Sequence, residues 1–152
     1  MTPRHAGSVD APVLARLLKE FNAEFGDPAP ALEVLTARFA LLLDRDDVVG
    51  VVAEEGQPTG FALITLRPTP YHDGPLAALD ELYVVPPLRG RGIGAAMMRF
   101  ALGHLRAIGC GEMQITVDEG DVGARRFYEA HGFTNHHTPA TQERMLCYVQ
   151  DL

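Results

Sequence analysis

Cysteine is scarce in this 152-residue chain: Cys110 and Cys147 lie far apart and form no C-x-x-C. Such usage excludes a disulfide-built fold and suggests a reducing, cytoplasmic setting. The six histidines, His136-His137 among them, make no H-x-x-x-H or Cys/His cluster, so no metal is expected. No apolar run approaches the ~18 residues that a membrane span requires. The opening Met1-Thr-Pro-Arg-His-Ala6 leads into no apolar stretch of a secretory signal, and no membrane partner is expected. Lysine is nearly missing too, with Lys19 alone beside twelve arginines, a bias of genome composition rather than function. Positive charge is in deficit: 13 basic residues face 20 acidic ones, a net of −7. A nucleic-acid binder would lean the other way. An acidic surface would suit a cationic partner, although solubility alone would also account for it.

What is present fits a globular α/β protein. Hydrophobic residues make up 47% and aromatics 7%, and the length predicts one domain over residues 1–152. A chain of this size buries roughly 68–70% of its unfolded surface and needs no covalent staple. Val13, Leu14, Leu17, Leu18 and Phe21 recur at helical spacing and predict a helix over Val9–Phe25, with Asp10 as its N-cap. Gly26-Asp-Pro-Ala-Pro30 ends it. A second helix is expected over Ala31–Leu43. Val48–Ala53 and Phe61–Leu66 read as strands joined by a hairpin-like turn, and Arg67–Pro75 as a loop. A strand (Leu79–Val85), a helix (Gly92–Ile108), a strand (Met113–Val117) and a helix (Val122–His131) follow. Two short strands are expected near Phe133 and over Arg144–Val149. The order predicts mostly antiparallel strands with one βαβ crossover.

The sharpest feature is Leu82-Tyr-Val-Val-Pro-Pro-Leu-Arg-Gly-Arg-Gly-Ile-Gly-Ala95. A strand runs into three alternating glycines and then directly into an amphipathic helix. Glycines allow close backbone approach and let successive N–H groups face one concavity. The helix start adds unsatisfied donors and a partial positive charge. Together they suit a phosphate or pyrophosphate, with Arg89 and Arg91 supplying formal positive charge. Gly90-x-Gly92-x-x-Ala95 also fits the loose dinucleotide fingerprint. Pro86-Pro87-Leu88-Arg89, however, separates strand from glycines where a dinucleotide fold turns tightly, and too little chain surrounds the segment for that domain.

Arg89-x-x-Gly92-x-Gly94 resembles the [RQ]-x-x-G-x-[GA] signature of the GNAT superfamily of acyl-CoA-dependent N-acetyltransferases. Ala124-Arg-Arg-Phe-Tyr-Glu-Ala-His-Gly-Phe133 resembles that family's second segment, A-x-x-[FL]-Y-x-x-x-G-F, at the usual spacing. The resemblance implies a mixed, mostly antiparallel sheet of six to seven strands flanked by about four helices. It implies acetyl-CoA as co-substrate, its pyrophosphate bound by the N–H groups of Arg89, Gly90, Arg91, Gly92, Ile93, Gly94 and Ala95. Main-chain groups of Tyr83, Val84 and Val85 would pair with the pantetheine arm and acetyl carbonyl where the sheet splays. Tyr128 would be the general acid for the departing thiolate. Homodimers are common in the family and form part of the expectation.

Transfer to an amine needs a base for the ammonium proton and a donor for the developing oxyanion. The resemblance implies an acid at Glu81, acting directly or through water; the plain alternative is a carboxylate that only solvates the strand. Strict alternation would put Glu81 on the face of Tyr83, and Asp80 on the opposite one. Val117–Tyr128 and Phe21–Asp27 are also similar, over short stretches, to the aminoglycoside 3-N-acetyltransferase branch. Glu24, Asp27, Asp118, Glu119 and Asp121 would then line a pocket for a small polycationic amine; helix-dipole complementation is the alternative. Asp121 stands where the family often has Asn and cannot donate as that amide would. The loop with Tyr71, His72 and Asp73 is a candidate acceptor wall. The expected activity is acetyl transfer to a primary amine in a ternary complex, Cys110 and Cys147 lying away from the motifs. A peptide N-acetyltransferase, or an acyl-CoA sensor without transferase activity, are the alternatives.

Overall fold

A computed structural model describes residues 2–152. The chain divides into two compact units, one ending at Ile115 and the other spanning Thr116–Leu152. The first holds a five-stranded sheet in the order β1 (Thr2–Ala6), β2 (Val48–Glu54), β3 (Pro58–Arg67), β4 (Leu76–Val84) and β5 (Glu112–Ile115). The first three pairings are antiparallel and β4–β5 is parallel. The parallel pair is joined by helix α3 (Ile93–Ala107), which is the expected βαβ crossover.

Helices α1 (Ala11–Glu24) and α2 (Leu32–Leu43) cover one face of this sheet. Leu14, Leu17, Leu35 and Phe39 pack with Val52, Phe61, Leu63 and Tyr83 in one buried cluster. On β3 the intervening residues Gly60, Ala62 and Ile64 are also buried, because α3 covers the other face. Gly60 must be glycine there: a Cβ would stand 2.6 Å from the Tyr83 carbonyl oxygen and 3.0 Å from Met97. A sheet covered on both faces produces the near-continuous apolar runs of β2 and β3.

Five strands form among the described residues, against the six to seven expected. β1 is an addition: its polar sequence shows no alternation, and it is carried by main-chain pairing to β2 along one edge. The two expected terminal strands do not form. Residues 144–149 have strand-forming side chains, but among the described residues they make an isolated bridge between His136 and Arg144, with the Met145 N–H donating to the Asn135 carbonyl, and no strand. Asp10 is the N-cap residue of α1 as expected, but its side chain does not cap that helix and instead turns back on the short 3-10 turn Ser8–Asp10. Arg4 donates to its two carboxylate oxygens at 2.8 and 2.9 Å, and the Gly7 N–H donates to it at 2.9 Å. In the second unit, α4 (Val122–Ala130) starts from Asp121, whose side chain accepts from the Ala124 N–H at 3.0 Å.

Candidate active site

The site begins with a mismatch of strand lengths. β5 pairs with β4 only from Leu76 to Leu79, so Asp80–Val84 run on with one side of their backbone unpaired. The N–H of Val85 donates to the Thr59 carbonyl at 3.0 Å, toward β3. N–H directions alternate along a strand, so Tyr83 also points its donor at β3 while Val84 turns its N–H to the open side. Of the three residues expected to pair with a ligand, Val84 alone therefore offers an uncommitted direction. Its carbonyl accepts from Arg89 Nε at 2.8 Å.

The turn that follows is built for an anion. Gly90 and Gly92 have φ of 76° and 83°, left-handed values that disfavour other residues. Gly92 is the N-cap of α3 and no side chain caps that end. The first bond closing the helix runs from the Ala96 N–H to the Gly92 carbonyl at 2.9 Å. The N–H groups of Ile93, Gly94 and Ala95 thus stand ahead of the helical ladder, in the partial positive field of the helix start. These residues fit a pyrophosphate, and Arg91 is exposed beside them.

Arg89 behaves otherwise than expected. Its guanidinium is turned onto Glu24, with Nη1 and Nη2 donating to the two carboxylate oxygens at 2.6 Å each. It also lies over the Tyr83 ring, 5.5 Å from the centroid. The ion pair cancels the charge assigned to the anion site and withdraws Glu24 from the set of acceptor acids. Arg89 holds Glu24 below the usual carboxylate range.

A β-bulge revises the reading of the acids on β4. Leu63 pairs with Glu81 and Ile64 with Leu79, so Asp80 is an extra residue on β4. Thr65 lies two residues from Leu63 and on the same face, and its hydroxyl donates to Asp80 at 2.8 Å. Asp80 and Glu81 therefore address one face, where strict alternation would separate them. Burial, reinforced by the negative charge of Asp80, raises the Glu81 carboxyl to about 7.

In the second unit Tyr128 is 9% exposed and packs edge-on to Phe127 and Phe133, with ring centroids at 5.3 and 5.7 Å. The other acids there are engaged or bare. Asp121 is committed to its helix cap, and Glu119 accepts from Arg144 at 2.5 Å. Asp118 and, in the first unit, Asp27 are exposed. The loop with Tyr71, His72 and Asp73 lies at the end of β4 opposite the glycine turn. It enters β4 at Leu76 while that turn leaves at Val84, a separation of roughly 27 Å at strand rise. It lines a cavity of about 470 Å³ with Gly109 and Gly111. Sequence reasoning named Asp80 but put it on the opposite face, and it missed Thr65; only the cross-strand register brings the two together. Among the described residues no group of three His, Cys, Asp or Glu could hold a metal ion, and no helix is long and apolar enough to cross a membrane.

Comparison with known proteins adds independent findings. The profile of the acetyltransferase (GNAT) family matches residues 14–133. An aminoglycoside N(6')-acetyltransferase type 1 from Stenotrophomonas maltophilia is 32% identical over 140 residues, which cover 87% of this chain and 85% of that protein. A mycothiol acetyltransferase from Stackebrandtia nassauensis is 32% identical over 141 residues, covering 86% of this chain but 44% of that longer protein. Across three mycothiol acetyltransferases the matched segment spans only 21, 44 and 30% of their length. A candidate acetyltransferase from Arthrobacter sp. FB24 has a crystal structure with TM-score 0.92 at 44% identity, covering 100% of this chain and 96% of that one. An aminoglycoside acetyltransferase from a soil metagenome, solved with sisomicin, has TM-score 0.78 at 21% identity over 99% of this chain and 95% of its own, a likeness of fold alone. The aminoglycoside relative carries the N(6') designation, not that of the 3-N branch which residues 117–128 resemble.

Proposed function

The chain belongs to the acetyltransferase (GNAT) family, and from that premise we propose that it moves an acetyl group from acetyl-CoA to a primary amine of a small molecule. The reaction is direct attack within a ternary complex, both units serving one acetyltransferase domain. The observation that carries this reading is the end of β4: a strand with one open side, a half-buried carboxylate on its face and a run of N–H donors just beyond it. Acetyl-CoA, when bound, supplies the acetyl group as a thioester.

The residues then divide the work. The N–H groups from Gly90 to Ala95 hold the pyrophosphate. The Val84 N–H donates to the acyl oxygen as negative charge develops on it. Glu81, directly or through a water, takes a proton from the acceptor ammonium so that the neutral amine can attack, and a carboxyl raised to about 7 is suited to that exchange at neutral pH. Tyr128 gives its phenolic proton to the departing sulfur. The C–N bond forms as the C–S bond breaks; the nitrogen then sheds a second proton, which balances the one gained by the thiol, while the first passes from Glu81 to solvent.

For the acceptor we favour a small cationic amine of the aminoglycoside kind. The support is the name of the Stenotrophomonas relative and the −7 net charge. The pocket of acids is smaller than expected, because Glu24, Glu119 and Asp121 have partners of their own. We place the acceptor beside Asp80 and Glu81, which share one face of β4 next to the unpaired stretch of that strand. The test is release of free thiol from acetyl-CoA against aminoglycosides, polyamines, amino acids and peptides, with the acetylated product weighed by mass spectrometry. Thiol release matched by product with an aminoglycoside or polyamine supports the reading. Coenzyme A binding without release on any amine would replace it with an acyl-CoA sensor.

A further inference from the structure

We propose that Glu24 is a positioning residue for the cofactor loop, acting through Arg89, rather than an acid that meets the acceptor. The inference rests on the acetyl-CoA reading above and concerns the same site. Arg89 opens the glycine signature, and its three guanidinium nitrogens point back into the protein. Two meet Glu24 at the last residue of α1, and Nε meets the Val84 carbonyl at the last residue of β4. Beneath it the Tyr83 ring stacks on Phe21 of α1, with centroids 5.1 Å apart and planes 25° from parallel. One side chain thus ties the end of α1, the end of β4 and the start of the loop.

Local electrostatics do not explain Glu24. A carboxylate in the last turn of a helix faces the partial negative charge of the unpaired carbonyls, and α1 has no basic residue in that turn to offset it. Its favourable partner lies 65 residues away in the chain. The geometry is also specific to arginine. A planar fork can satisfy both carboxylate oxygens and still present Nε to a carbonyl, whereas the point charge of lysine cannot. Gly90 and Gly92 follow at once and offer no side chains to fix the turn, so the anchor at Arg89 sets where the following N–H groups point.

The sign of one substitution decides the matter. If Arg89 were a pyrophosphate ligand merely resting on Glu24, then Glu24→Gln would free a positive charge and tighten coenzyme A binding. If the pair holds the loop, Glu24→Gln weakens binding. Isothermal titration of coenzyme A into the full chain reads this directly. We expect Glu24→Gln and Arg89→Lys each to raise Kd about three- to tenfold, as loss of one hydrogen-bonded ion pair allows. The double variant should bind no more weakly than the worse single one. Glu20→Gln removes the same charge from the same helix, from a pair with Arg16, and should leave Kd unchanged. In turnover, the KM for acetyl-CoA should rise by more than kcat falls, a split that general loosening of the fold would not produce. Glu24→Asp, which keeps the charge, covers the case in which the Gln variant folds poorly; it should weaken binding less. Unchanged or tighter binding by Glu24→Gln overturns the proposal. Failure of the wild-type chain to bind coenzyme A overturns the functional reading as well.

Discussion

Two carboxylates in the first unit face opposite electrostatic surroundings. Asp10, in the turn after β1, is 7% exposed and receives a two-pronged guanidinium from Arg4 together with the Gly7 N–H. Those donors hold it below the ordinary aspartate range despite its burial. Glu81, at the bulge of β4, is half-buried with a second carboxylate beside it, and it rises to about 7. Both have lost water, and what replaces the water differs. Donors turn a buried acid into a fixture of the fold, whereas a like charge and an apolar wall leave one able to exchange protons near neutrality.

The strongest test of the contrast removes the proton acceptor. Glu81→Gln should lower kcat/KM for the amine about 10²- to 10⁴-fold, the range over which a general base acts. It should also erase an acidic limb near pH 7 in the wild-type profile, and an identical limb in the variant would exclude Glu81 as the base. Tyr128→Phe should cost about 10²-fold in kcat, the lower end of acid catalysis. Its ring would still pack between Phe127 and Phe133, so coenzyme A affinity read by calorimetry should hold. Equal turnover over the whole pH range would return Tyr128 to a packing role.

The counterpart experiment is on stability. Asp10→Asn keeps the shape but strips the charge from the Arg4 cluster. The expected cost is about 2 kcal/mol, between the values for surface and fully buried pairs because Arg4 is partly exposed. Asp10 titrates below its unfolded value, so its contribution is complete above the ordinary aspartate range and disappears as pH falls through the lowered one. Urea unfolding should therefore separate variant from wild type at pH 7 and bring them together in acid. A gap that persists in acid would mean that packing, not charge, makes Asp10 matter.

The contrast also shows what could be recognised in the sequence. The glycine turn, the crossover helix and the second motif around Tyr128 were legible because each is local: spacing along one segment determines backbone direction and helix face. Ion-pair partners were not. Asp10 has the residue type and place of an N-cap, and Arg4, though only six residues away, reaches it across the turn after β1 rather than by a spacing within one element. Glu24 reads as an acceptor acid from the sequence because its partner is 65 residues away. The bulge belongs to a pair of strands, so no reading of β4 alone could put Asp80 and Glu81 on one face. Strand formation has the same limit: β1 forms from a polar segment because β2 offers an edge, and residues 144–149 have the propensity without a partner strand.

The smallest expected effect is the most specific to the bulge. Asp80→Asn removes the neighbouring negative charge while leaving an oxygen able to accept from Thr65. Glu81 then ionises more readily, and the acidic limb of kcat/KM should move to lower pH with its height preserved. Stability must follow the same linkage. A carboxyl raised in the folded state binds its proton more tightly there than in the unfolded chain. Its contribution therefore declines as pH climbs from the ordinary glutamate range through about 7. Relief of that penalty should make the melting temperature of Asp80→Asn exceed that of the wild type by more at pH 8 than at pH 5. If the limb moves and the melting difference does not, Asp80 raises Glu81 as much in the unfolded chain, where the two are still neighbours, as in the folded one. If neither moves, burial alone raises Glu81, and the bulge matters for the direction of its side chain rather than for its charge.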